Sequence, residues 1–459
     1  MAVAEPAVAD ANGADPEAAA RALLPPGPRI GKLAQTLAWT LAPTWFMEHC
    51  LARVGEAFTV TFFPSGLRFV MVADPTGVKD VFQASPDVAP SAAANSPIRP
   101  IVGSSSVLVT VGAEHMRQRK LLLPPFHGER MREYEEVIVA ATRQDMASWP
   151  RGRAMRVQPR SRAITLEVIL TAVFGVGEAR RDPLRRAIGE LMAPINVLAV
   201  LRIALTRPTG EPPGGKIGAA LDRLDAVLYE EIAARRAAGD LAERRDILSL
   251  LLQAHDEDGQ PMTDVELRDE LVTLLLAGHE TTATSVAWAI ERLVRHPDKL
   301  RRLVAEIDAG EDEAYLNAVV NETLRVRPVV PIVVRALQQD LEVGGRLLPA
   351  GTAVAPCIYL TNRNPRVYER PREFMPERFL DGAPETFSWI PFGGGIRRCI
   401  GAAFAQLEMK LILRTVLSEL TPRTTEPWRR FGEPTRRRAI TLVPAFGARA
   451  IWEDRRGSE

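Results

Sequence analysis

A run of about thirty residues that starts at Thr263 sets the scale of the fold. Thr263 and Glu266 form the Thr-x-x-Glu pattern, in which each side chain satisfies the other's backbone N–H at a helix start. Apolar residues then recur at helical spacing to about Val294. At about 1.5 Å of rise per residue this is a rod of ~45 Å, long enough to cross a whole domain. Helical patterns dominate from about Gly112 onward, and short strands are expected near Phe58–Val72, Leu341–Val354 and Ala439–Val443. The expectation is a mainly α protein with a small β region.

Such a helix needs a large core, and the composition supplies one: 46% of the 459 residues are hydrophobic and 25% charged. No Gly/Ser-rich linker or internal repeat divides the chain, so residues 21–459 read as one domain. Residues 1–20, Ala-rich with Glu5, Asp10, Asp15 and Glu17, read as a flexible tail, and LPPGPR (Leu24–Arg29) marks entry to the fold. A net charge of +1 argues against nucleic acid as a partner. No secretory signal is apparent, and no stretch approaches the roughly 18 apolar residues of a membrane span. The nearest, Thr36–Phe46, is short and broken by Pro43. Three cysteines, Cys50, Cys357 and Cys399, are too few for a disulfide framework, and a soluble cytoplasmic protein is expected. GEPPGGK (Gly210–Lys216) imitates a phosphate-binding loop, but Pro212 and Pro213 lack the needed N–H donors, and it reads as a connection between helices.

The chemistry concentrates in FGGGIRRCIG, Phe392–Gly401. Gly393 and Gly395 allow a tight bend that brings backbone N–H groups toward the Cys399 sulfur. The apolar, helix-forming run Ile400–Leu407 follows at once, placing the sulfur near a helix N-terminus and its partial positive charge. Thiolate is one of the few protein ligands that push electron density onto heme iron and favour O–O cleavage. Cys50 and Cys357 have no such surroundings and read as buried and inert.

A second polar feature interrupts the long helix. AGHETT, Ala277–Thr282, is a poor sequence for an apolar helix interior. Thr281 is placed to turn its hydroxyl to the carbonyl of Ala277 and loosen the helix, with Glu280 beside it. An acid–alcohol pair suits a reaction that consumes protons. His279-Glu280 does not begin a zinc-protease motif, because Ala283 stands where the second His belongs.

The cysteine segment resembles the heme-binding signature of the cytochrome P-450 superfamily, and the resemblance extends from about Leu24 to the C-terminus. It implies the P-450 fold, with the long helix crossing the domain, and heme b (iron protoporphyrin IX) as cofactor with Cys399 as axial ligand of the iron. It implies that Glu280 and Thr281 deliver protons to dioxygen. His115, where many members carry Trp, is implied to bind the heme propionates together with Arg119, Arg335 and Arg397. Glu322 and Arg325 are three apart and share a helix face; the resemblance makes them a buried structural network completed by Arg378 of the PERF segment. Arg117 and Lys120 read as surface charges that face a redox partner.

By the same resemblance, about Ser91–Thr110, Leu275–Thr281, Val329–Val334 and Pro444–Phe446 line the substrate pocket. They are largely apolar, which points to a fatty acid, terpenoid or similar small molecule. The implied activity is insertion of one atom of dioxygen into that substrate. No flavin or nicotinamide domain follows the heme region, so electrons are expected from a ferredoxin-type donor with an NAD(P)H-dependent reductase. The alternatives are a peroxide-using or isomerase-type heme enzyme of the same fold, and a non-catalytic heme-binding protein.

Overall fold

The computed structural model describes residues 24–92, 98–128, 130–175, 178–194, 213–310, 312–382, 384–425 and 432–455. The proposed tail, residues 210–212 of the glycine-rich connection and part of the expected pocket loop therefore lie outside the described residues.

The central helix spans Asp264–Arg295. Its capping box is formed as the sequence suggests: Glu266 N–H donates to Thr263 Oγ1 at 3.2 Å, and Thr263 N–H to Glu266 Oε2 at 2.8 Å. Beyond its first turn it is buried on nearly every side, so it packs as a core element rather than as an amphipathic surface helix. Val157–Phe174, Ala314–Val326 and Ala402–Glu419 pack against it, with Leu271, Val168, Leu324 and Met409 in one continuous apolar cluster. Among the described residues no helix is long and apolar enough to cross a membrane.

The β region is small, and its four-stranded sheet lies apart from that cluster. Strands Ala57–Thr61 and Arg68–Val72 form the expected hairpin, with Phe58 opposite Met71. Arg68–Val72 continues the sheet in parallel with Ala353–Pro356, which pairs in turn with the two-residue strand Arg335–Ala336. A second apolar cluster, including Phe46, Met47, Cys50 and Cys357, packs beneath this sheet. Burial pushes the thiols of Cys50 and Cys357 up to about 12, which keeps both protonated and unreactive.

Two expected strands are redrawn. Leu341–Val354 is a hairpin of Leu341–Val343 and Arg346–Leu348 that turns at Gly344 and Gly345, both at positive φ, before the third strand begins at Ala353. Ala439 is a turn residue at φ 50°, joining strands Thr435–Arg438 and Thr441–Pro444.

Candidate active site

The cysteine loop is shaped by glycine and by what it packs on. Gly393 and Gly395 adopt φ 68° and 63°, where L side chains are strained. A Cβ on Gly394 would collide with the Phe82 ring, and one on Gly395 with the Phe82 carbonyl. Helix Pro75–Gln83 therefore seats the loop through Phe82, an approach only glycine permits. Cys399 N–H closes the loop on Phe392 O at 3.0 Å. The next helix starts at Ala402 with Gly401 as its cap, and a Gly401 backbone hydrogen bond favours the Cys399 thiolate.

Burial nevertheless raises the Cys399 pKa, outweighing that hydrogen bond and the charges of Arg398 and Arg119. Its side chain has accessible surface all the same. The free side chain is a thiol; a bound metal would deprotonate it outright.

Four cationic or basic side chains gather beside this loop from three elements. His115 and Arg119 are one turn apart on helix Gly112–Leu122, Arg335 begins a sheet strand, and Arg397 lies two residues before Cys399. Arg397 Nη1 donates to Val107 O at 3.0 Å, and Nη2 to Thr110 O. Arg335 Nη1 donates to Val334 O at 3.2 Å. Burial depresses Arg335 and Arg397 to about 10, and at Arg397 the charges of Arg335 and Arg119 add to it. The buried His115 falls to about 4, from burial first and then Arg397, Arg119 and Arg335, so it is neutral at pH 7. Its Nδ1 has no protein partner.

No carboxylate of the described residues offsets the charge at Arg119, Arg335 or Arg397. Buried cations without counterions are costly unless a ligand completes them. His115, Arg335 and Arg397 line one cleft with Phe82, Val111 and Ile396. An apolar body carrying two carboxylates matches that lining, and heme with its propionates is such a group. The residues present fit the cofactor.

On the central helix, Thr281 Oγ1 donates to Ala277 O at 2.7 Å. The expected loosening does not reach the backbone assignment, because the α-helix runs unbroken from Asp264 to Arg295. Glu280 is buried and ion-paired to Arg162 at 2.6 Å, with Arg438 at 3.9 Å. His279 is also buried, its Nδ1 2.7 Å from Leu275 O, and we assign it no role.

Sequence reading missed Glu408, a fully buried carboxyl on the helix that follows Cys399. Burial pushes its pKa up to about 8 against the pull of a hydrogen bond from Thr282, and Oε1 has no partner. A lone carboxylate in the apolar run AAFAQLEMKLIL was the available signal. This contact joins the cysteine helix to the central helix one residue past Thr281.

The structural triad has closed geometry. Arg325 meets Glu322 through two hydrogen bonds, at 2.6 and 2.8 Å, and both side chains are fully buried. Arg378 Nε reaches Glu322 Oε1 at 3.3 Å, and Met375 N–H donates to the same oxygen at 2.7 Å. Arg325 also donates to the carbonyls of Asn362, Pro371 and Glu373.

Two expectations change. Arg117 is half-buried and ion-paired to Asp256 and Glu266, whereas Lys120 is an exposed charge as expected and meets only the exposed Glu257. Pro444–Phe446 lie at the base of their hairpin, where Phe446 N–H donates to Glu433 and Gly447 abuts Arg156. The turn at Ala439-Ile440, next to Arg438, is the end nearer Glu280, because the strand reverses there.

A mainly helical scaffold with a glycine-bent cysteine loop beside an uncompensated cationic cleft defines a heme-binding protein. The cytochrome P-450 family model matches residues 23–436, and the chain belongs to that family, whose members are heme-thiolate monooxygenases that draw on oxygen and redox partners. A Mycobacterium bovis protein named for cytochrome P-450 135B1 is 40% identical over 437 residues, covering 93% of this chain and 90% of its own. One from the same organism named for cytochrome P-450 138 is 38% identical, covering 94% and 97%. Among solved structures, the cytochrome P-450DA heme domain aligns with TM-score 0.80 at 23% identity, over 94% of this chain and 97% of that one. A retinoic acid-bound cyanobacterial CYP120A1 aligns with TM-score 0.78 at 24% identity, over 94% and 99%. These two establish the fold.

Proposed function

We propose that this chain is an oxygen-dependent monooxygenase of apolar small molecules in which Cys399 would ligate the iron of heme b. The observation that carries the reading is the cluster of Arg119, Arg335 and Arg397, without carboxylate partners among the described residues, beside the accessible side chain of Cys399. Arg119, Arg335 and Arg397 take the propionates as charge-assisted donors, and neutral His115 donates one further N–H. A bound iron would deprotonate the sulfur, and the Gly401 backbone hydrogen bond, Arg398 and Arg119 would favour that charged state against the pull of burial. When bound, heme supplies the chemistry that splits dioxygen and inserts one atom into a C–H bond.

The chain's own part in that reaction is proton delivery and positioning. Thr281 holds its hydroxyl proton on Ala277 O and is released to pass it toward the cysteine side of the helix. Glu280 restores that proton once its carboxylate has let go of Arg162 and taken up a proton from solvent water. The apolar residues Val329–Val334, which lead directly into Arg335, favour a fatty acid, terpenoid or similar substrate. Electrons come from a ferredoxin-type donor with an NAD(P)H-dependent reductase, in the cytoplasm. The Glu280–Thr281 pair favours this reading over a peroxide-using or isomerase-type enzyme.

Carbon monoxide added to the reduced holoprotein is expected to give the strongly red-shifted Soret band of thiolate ligation, and Cys399→Ala to abolish it. Heme-loaded wild type with only the unshifted band would overturn the assignment of Cys399. Thr281→Ala is expected to keep the band and to divert reducing equivalents to peroxide. Unchanged coupling of NAD(P)H use to product would remove Thr281 from proton delivery.

A further inference from the structure

The loop Gly103–Thr110 is gripped from both sides, and one of its anchors is a carboxyl that no part of the chemistry above uses. Glu270 lies on the central helix with no exposed surface. Its Oε1 accepts the N–H of Val107 at 2.7 Å, and its Oε2 has no partner. A buried carboxyl with an idle oxygen is a poor choice for stability, and an apolar residue there would avoid the desolvation. Burial pushes its pKa well above the usual carboxylate range, and the neighbouring Asp269 and Glu266 add to the rise.

The surrounding contacts show what the carboxyl holds. Asp269 Oδ2 accepts Ser105 N–H at 2.9 Å, and Gly103, at φ 89°, has no space for a Cβ against that carboxylate. Thr273 donates its hydroxyl to Asp269 O, so Ser106 Oγ must donate to Thr273 Oγ1, 2.6 Å away. On the opposite side Arg397 takes the carbonyls of Val107 and Thr110. Val107 is thus clamped at both backbone groups, its N–H by Glu270 and its C=O by Arg397. Spacings of three and four also put Glu270, Thr273, Ala277 and Thr281 on one stripe of the helix.

We infer that Glu270 is a positioning residue: by holding the Val107 N–H it fixes the two carbonyls that aim Arg397, and so ties the central helix to the cofactor-binding cation through the loop. Glu270 touches neither cofactor nor reacting atoms. The inference rests on the reading of Arg397 given above, and predicts that loop order and cofactor retention fail together.

The test compares heme-loaded wild type with Glu270→Gln and Glu270→Ala, with and without Arg397→Gln. Hydrogen exchange over residues 103–110 and the rate of heme transfer to apomyoglobin are the readouts. Loss of one buried hydrogen bond should speed both by about tenfold in Glu270→Ala. Glu270→Gln should remain near wild type, since its amide oxygen also accepts the Val107 N–H. In the double variant heme transfer should be no faster than in Arg397→Gln alone, because the two residues act in series. If Glu270→Ala does not fold, Glu270→Met replaces it, being of similar length but unable to accept. Unchanged exchange in the Ala or Met variant, additive effects with Arg397→Gln, or Gln as damaging as Ala would overturn the inference. A fast-exchanging loop with unchanged heme transfer would refute the tie to Arg397. The carbon monoxide band of the wild type reports separately on the Cys399 reading.

Discussion

Two arginine clusters in this molecule use the same chemistry to opposite ends. At Glu322, Arg325 and Arg378 one carboxylate is shared by two guanidinium groups, and Arg325 also satisfies three backbone carbonyls. At Arg119, Arg335 and Arg397, beside neutral His115, positive groups lie close enough to lower the pKa of His115 and Arg397, and among the described residues they meet no carboxylate. The first cluster is finished by the protein and acts as scaffold. The second is finished only by an anion from outside, and burial makes that requirement strong. Completeness of the hydrogen-bond partners, rather than residue type, separates structure from site.

The comparison breaks most severely at Arg325. Arg325→Ala takes the doubly hydrogen-bonded partner from the fully buried Glu322 and leaves it only Arg378 and the Met375 N–H, at a cost of ~3–5 kcal/mol. The expected outcome is little soluble holoprotein, and a urea midpoint close to wild type would mean the network is not structural. The open cluster should respond in the reverse sense. Arg397→Gln is expected to fold with apoprotein stability at or above wild type, because it relieves repulsion, while heme transfer to apomyoglobin quickens by about tenfold, the loss of one charge-assisted contact of ~1.4 kcal/mol. Apoprotein destabilised as much as by Arg325→Ala would erase the distinction.

A smaller test concerns Glu408, a carboxyl left neutral rather than paired. Its folded pKa of about 8 lies above the ordinary value of 4.5, so the folded state holds the extra proton between them. Stability from this group is full below the lower value and falls as pH rises toward the upper one, by up to about 1.4 kcal/mol per pH unit. Glu408→Gln removes that slope. Its urea midpoint should gain on wild type between pH 6 and pH 8, and parallel pH profiles would show that Glu408 ionises normally.

What could be read from the sequence was what depends on near neighbours. The capping box at Thr263 and Glu266, the glycine bend before Cys399, the Thr281 to Ala277 hydrogen bond and the spacing of Glu322 and Arg325 each involve residues within a few positions. Ala439 reads as strand in the sequence and is a turn in the structure, because an alternating pattern does not show where a strand reverses. The pairings missed are long-range: Arg162 with Glu280 is separated by 118 positions, Arg117 with Asp256 by 139 and Val107 with Glu270 by 163. Nothing local marks Arg117 as neutralised and Arg397 as not.

By itself the sequence determined a long buried helix, a cysteine loop of fixed curvature and the inventory of charges, because helix periodicity, glycine φ and capping are short-range properties of the backbone. Only the tertiary structure decided which charges were paired. Packing brings distant side chains to within a hydrogen bond and excludes the water that would otherwise make each charge independent. That is why Glu322 became scaffold, Glu270 became an anchor, and Arg119, Arg335 and Arg397 were left to meet a ligand.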